Sequence, residues 1–103
     1  MADLSSLVEA MRERSAALSE LGYKVRFDLT DTGEAILLDA TGGAVEVREG
    51  SGEADAVLKL STDTLDKLIT GRMGPLMAFS TGRLKVEGSQ GVALKLAGLL
   101  DQD

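Results

Sequence analysis

The sequence predicts an α+β domain in which five strands form a mostly antiparallel sheet and helices pack on it. Three observations carry this. Apolar residues recur at helical spacing over the first twenty positions. Four short stretches separated by turn residues follow, three alternating apolar with polar residues and one apolar on both faces. Helical spacing finally returns on both sides of one more alternating stretch. At 103 residues the chain reads as one domain, 1–103, with a single core.

Leu4, Leu7, Val8, Met11, Leu18 and Leu21 repeat every three or four residues, with Glu9, Arg12, Glu13 and Glu20 on other faces. This predicts one amphipathic helix over residues 3 to 21. Ser6 with Glu9 forms a capping box, Asp3 is an equally good N-cap, and Gly22 supplies the stop. The period then changes to two. Tyr23, Val25, Phe27 and Leu29 alternate with Lys24, Arg26, Asp28 and Thr30, as a half-buried strand requires. Asp31-Thr32-Gly33 reads as a hairpin turn. EAILLDA (34–40) is apolar on both faces, which suits a central strand, and Thr41-Gly42-Gly43 turns again. AVEVREG (44–50) points Val45 and Val47 inward, and DAVLKLS (55–61) does the same with Ala56, Leu58 and Leu60.

Ser61 or Thr62 caps a short helix that carries Leu65, Leu68 and Ile69 and ends at Gly71. Pro75 fits the first position of another, Pro75 to Ser80, because its missing N–H has no partner there anyway. RLKVEG (83–88) is the fifth strand, with Leu84 and Val86 inward. Ser89 caps a last helix, 90–100, bearing Val92, Leu96, Leu99 and Leu100 on one side.

Composition narrows function. The chain has neither cysteine nor histidine, so thiolate and imidazole chemistry is unavailable. A formal net charge of −6 argues against nucleic acid, whose phosphates require a basic face. No apolar run approaches the roughly 20 residues of a membrane span, and the acidic, amphipathic N-terminus shows no secretory signal. A cytoplasmic protein is predicted.

The carboxylates at Asp28, Asp31, Asp39, Glu46 and Glu49 fall on polar faces and turns, where solvation explains them without a catalytic pair. GSQG (88–91) matches no phosphate-binding fingerprint. What remains is apolar. Between Gly74 and Gly82 the chain sets Pro75, Leu76, Met77, Ala78 and Phe79 without a charge, and GVALKLAGLL holds only Lys95. This surplus over one sheet face reads either as ordinary core or as the lining of an apolar pocket.

The order of elements, and above all VLKLSTDTLDKLITGRMGPLMAFSTGRLKVEGSQGVALKL, resembles the sterol carrier protein 2 (SCP2) domain family. The matching positions are Leu58 and Leu60 in an alternating strand, then Leu65, Leu68 and Gly71 in a short helix. Pro75, Ala78 and Phe79 follow, then Gly82-Arg83-Leu84, Val86 and Gly88, then Ala93 and Leu96 in an apolar helix. The likeness is dense over residues 55 to 100 and extends over the rest of the chain by element order.

The resemblance implies helices and a five-stranded sheet enclosing an apolar tunnel. It also implies a non-enzymatic protein that binds and transfers a lipid: a sterol, a fatty acid or a fatty acyl-CoA. On that reading Met73, Leu76, Met77, Phe79, Leu84, Val92, Leu96, Leu99 and Leu100 line the tunnel. Arg72 and Lys95 are the cations best placed for an anionic head group. No cofactor and no metal are implied. The chain ends LLDQD, without the peroxisomal address of many animal members, so the likeness is to a stand-alone, bacterial-type member. The expected partners are a small lipid, a transient membrane contact without a membrane span, and at most a weak homodimer. The alternative is a structural or interaction module with a vestigial tunnel, whose apolar surface recruits a partner or a second copy.

Overall fold

The alternating residues 24 to 29 build the strand around which the rest is arranged. In the computed structural model, which describes residues 4–42, 44–50 and 52–100, β1 (Lys24–Leu29) lies at the middle of the sheet. It is flanked by β2 (Ala35–Asp39) and β4 (Ala56–Leu60), with β3 (Glu46–Glu49) and β5 (Leu84–Gly88) at the edges, in the order β3-β2-β1-β4-β5. Val25, Phe27 and Leu29 of β1 are fully buried on one face. Ile36, Leu38, Val47, Ala56, Leu58, Leu60 and Leu84 join them from the other strands.

Three pairings are antiparallel, but β1 and β4 run parallel, with Val25 opposite Ala56 and Leu29 opposite Leu60. Consecutive strands therefore form an antiparallel meander only from β1 to β3. β2 supplies a physical reason: it is apolar on both faces, so Leu37 would stand in water on the outer side. The segment leading from β3 back to β4 instead crosses that side. A Cβ added at Gly52 would come within 3.3 Å of Leu37, and Arg26 Nη1 donates to the Gly52 carbonyl at 3.1 Å. Leu37 is thereby buried to 4% exposure.

The helix expected over residues 3 to 21 is two pieces, α1 (Leu4–Glu13) and α2 (Ser15–Leu18). At the break the Arg14 N–H donates to the Met11 carbonyl, three residues back, which tightens the turn. α1 packs on β3 and on α3 (Thr62–Thr70), whereas α2 packs on α5 (Gln90–Leu100). One straight helix would not serve both. Ser6 lies inside α1 rather than at its cap, and Glu9 pairs with Arg12 at 2.9 Å instead of closing a capping box. Asp3 lies outside the described residues. Gly22 takes the left-handed backbone its role as a stop requires.

The turn after β1 has a second role. The Asp31 carboxylate accepts the N–H of Thr62 at 3.0 Å and its hydroxyl at 2.9 Å, tying the hairpin to the start of α3. Those two bonds, the N–H first, hold the Asp31 carboxyl below the ordinary carboxylate range. Ser61 caps the same helix by accepting the Thr64 N–H at 3.1 Å.

Candidate functional site

The segment between α3 and β5 is shaped by its glycines and its one proline. α3 stops at Gly71, whose φ of 79° is left-handed backbone that a side chain would strain. Gly74 is extended, Pro75 opens α4 (Pro75–Ser80), and the Arg83 N–H returns to the Ala78 carbonyl at 2.9 Å. A six-residue helix can turn only a narrow face inward, and here Pro75 and Ala78 occupy it. Leu76, Met77 and Phe79 are left 71%, 61% and 53% exposed. On α5, Val92, Ala93, Leu96 and Leu99 face the core, while Leu94 stands 62% exposed. Ser89 caps α5 by accepting the Val92 N–H at 3.3 Å.

Between these elements lies a partly open cleft of about 190 Å³. Its floor is Leu58 of β4 with Leu84 and Val86 of β5, and its inner wall is Leu68 of α3 with Ala93 and Leu96 of α5. Pro75, Leu76, Phe79, Leu94 and Gln90 complete the lining. No charged side chain is among them; Gln90 alone is polar. An apolar cavity of roughly 150 Å³ admits a benzene ring, whereas pockets for larger ligands run to about 300–1,000 Å³. The cleft as it stands therefore has space for no more than a short piece of hydrocarbon. A longer one requires Leu76, Phe79 or Leu94 to swing aside, and their exposure leaves them room to do so.

Of the residues expected to bind ligand, Leu76, Phe79, Leu84 and Leu96 line this cleft. Val92 and Leu99 are buried in the core outside the lining, and Met73 is half-buried against that core. Met77 faces solvent outside the lining. The side chain of Leu100 lies outside the described residues. Arg72 and Lys95 are exposed and do not line the cleft; the Lys95 Nζ sits 5.6 Å from the centre of the Tyr23 ring. Leu58, Leu68, Pro75, Val86, Gln90, Ala93 and Leu94 belong to the lining without having been singled out for it. Leu58 and Val86 are partners across β4 and β5, a pairing that spacing within one strand does not reveal. Gln90 and Leu94 were within reach, being one helical turn apart at the start of α5.

Asp28, Asp31 and Asp39 take structural roles, Asp28 through an ion pair with Arg26 at 2.8 Å. Asp39 accepts the hydroxyl and N–H of Thr41 at 2.6 and 2.9 Å, bonds that lower its pKa. Among the described residues there is no group of three or more acidic side chains that could hold a metal ion. No helix among them is long and apolar enough to cross a membrane.

Residues 4–101 match the SCP-2 sterol transfer family. The chain belongs to that family. It is 40% identical over 65 residues to hydroxysteroid dehydrogenase-like protein 2 of Bos taurus, a stretch that is 63% of this chain but only 16% of that much longer protein. Among solved structures it is similar to apo sterol carrier protein 2 of Yarrowia lipolytica (TM-score 0.75, 25% identity, 93% of this chain and 88% of that one). The palmitated SCP2L2 of Aedes aegypti superimposes with a TM-score of 0.79 over 99% of this chain and 96% of that one. At 17% identity that likeness concerns the fold. The five-stranded α+β architecture is thus the SCP2 fold.

Proposed function

We propose that this protein binds the hydrocarbon part of a lipid in the cleft between β4–β5 and the helices α3, α4 and α5, and transfers it without catalysing a reaction. The observation that carries this is a cleft lined by apolar side chains, with no charge in its wall, in a member of a sterol transfer family. Apolar surface brought out of water there supplies the affinity. A sterol, a fatty acid or a fatty acyl-CoA each offers such surface, and the tunnel of the sequence reading is this cleft widened by movement of Leu76, Phe79 and Leu94. The protein acts in this reading in the cytoplasm, as a monomer or at most a weak homodimer.

The head group then stays at the mouth, beside the Gln90 amide, with Arg72 and Lys95 as the cations to test against an anionic one. A fluorescent fatty acid titrated into the protein should bind at one per chain and be displaced by a natural fatty acid. Stoichiometry near zero at saturating probe would overturn the proposal in favour of an interaction module. The matched fatty alcohol separates the two halves of the ligand. Neutralising Arg72 and Lys95 together should weaken the acid by about 1 kcal/mol or more, the scale of charge-assisted contacts, and leave the alcohol unchanged. Equal losses would remove the head-group role and leave hydrocarbon recognition alone.

A further inference from the structure

The mouth of the cleft belongs to a larger surface that holding a ligand does not use. Leu76 and Phe79 of α4 and Leu94 of α5 border the same cleft, and Met77 stands exposed beside them on α4. Among the described residues, Tyr23 is the one other large apolar side chain exposed to this degree. Exposed apolar side chains gathered in one place mark a surface that meets something other than water.

Charge is also unevenly spread along the chain. Residues 67–100 carry Lys67, Arg72, Arg83, Lys85 and Lys95, and every acidic residue of the chain but Glu87 lies outside that segment. Glu87 is bridged to Lys59 at 3.0 Å on the outer side of the sheet, where Lys85 lies in register with Lys59. Lys67 is paired with Asp63. The Lys95 Nζ lies 5.6 Å from the centre of the Tyr23 ring, which leaves Arg72 and Arg83, one on each side of α4 in the chain. Both are exposed, and neither is in an ion pair among the described residues.

We propose that this corner, formed by Leu76, Met77, Phe79 and Leu94 with Arg72 and Arg83 beside them, docks on the surface of an anionic lipid bilayer. The apolar side chains would enter the boundary between head groups and acyl chains. The arginines would meet anionic head groups. The acidic remainder of the chain is repelled by the same surface, so the protein approaches with this corner foremost. A second copy fits less well: a two-fold dimer would set patch against patch, and hence the two arginines of one copy against those of the other. Docked this way, the cleft opens against the layer from which a lipid enters or leaves. The purpose of docking rests on the lipid-carrier reading; its measurement does not.

The chain has no tryptophan, so Met77→Trp places one reporter on the patch and Glu13→Trp places a control on the exposed side of α1. With vesicles of phosphatidylcholine and phosphatidylglycerol, and no added ligand, emission of Met77→Trp should shift to the blue while that of Glu13→Trp stays in place. Vesicles of phosphatidylcholine alone should shift neither to the same extent. Sedimentation with the mixed vesicles should fall about tenfold for Met77→Glu, the scale of one large apolar side chain kept in water, with Met77→Gln as a second variant of the same exposed site. Arg83→Gln should lower it about fivefold, and added salt should lower it for the unmodified chain. A blue shift for Glu13→Trp alone, equal binding to both vesicle types, or a concentration-dependent dimer in place of vesicle binding would each overturn the proposal. Vesicle docking with no binding of a fatty-acid probe would overturn the lipid-carrier reading and leave the docking surface standing.

Discussion

The two sides of the sheet treat the same kind of side chain in opposite ways. On the β1–β2 side, Phe27, Ile36 and Leu38 lie beneath helices and are removed from water entirely. On the β4–β5 side, Leu58, Leu84 and Val86 floor a cleft, and Leu76, Phe79 and Leu94 border it while standing in solvent. The residue types are the same, so hydrophobicity does not make the difference. It comes from the length and seating of the covering helix. α1 presents a continuous apolar stripe to β3 and α3, whereas six-residue α4 seats only Pro75 and Ala78. Dense packing on one side holds the fold, and incomplete packing on the other leaves room for a guest.

The sharpest way to break that comparison is a pair of phenylalanine substitutions. Phe27→Ala should cost about 3–5 kcal/mol, the range for deleting a buried aromatic side chain from a tight core. Phe79→Asp should cost about 1 kcal/mol or less, as changes at exposed positions do, while lowering fatty-acid probe affinity by at least tenfold. Urea unfolding and a probe titration read the two quantities separately. Similar stability losses at both sites would mean that the cleft is packed as tightly as the core.

Gly88 holds the end of β5 against β4 on the cleft side, opposite Ala56, and its substitution should have an intermediate effect. Its φ is 80°, and an added Cβ would lie 2.8 Å from the Asp55 carbonyl oxygen, a rigid backbone atom. Gly88→Ala should therefore destabilise by about 1–3 kcal/mol, through strain where β5 passes into α5. Unchanged stability on chemical denaturation would show that β5 is loosely held against β4.

The smallest expected effect belongs to the packed side and depends on pH. The Thr62 N–H, and next its hydroxyl, hold the folded Asp31 pKa below its unfolded value, which is about 3.9. A lowered folded pKa contributes stability that is present above the unfolded value and is lost as pH falls through the folded one. Asp31→Asn should thus remove a small part of the acid-dependent loss of stability below about pH 4. Parallel stability-versus-pH curves for the two proteins would show that the bonds to Thr62 do not form in solution. Asp39, lowered in the same direction first by the Thr41 hydroxyl, retains its own share.

The sequence by itself determined the local elements wherever a period and a stop signal coincided. Alternation bounded by turns placed β1, β3, β4 and β5, and an apolar run between two turns placed β2. Ser61 with Gly71, Pro75, and Ser89 placed the three later helices, because caps and glycine stops act within a few residues. It also carried the family resemblance, through spacings that run across several elements of the second half. Tertiary structure decided what depends on elements meeting. The parallel pairing of β1 with β4 brings together residues some thirty positions apart. The break at Arg14 answers to two different surfaces under one apolar stripe. The cleft lining was legible only in part, at Leu76, Phe79, Leu84 and Leu96, because hydrophobicity selects residues that avoid water without saying whether a side chain or a cavity lies opposite. Met77 has the same character as its neighbours on α4. Its direction from a short helix, set by which two side chains that helix seats in the core, turns it to solvent rather than into the cleft.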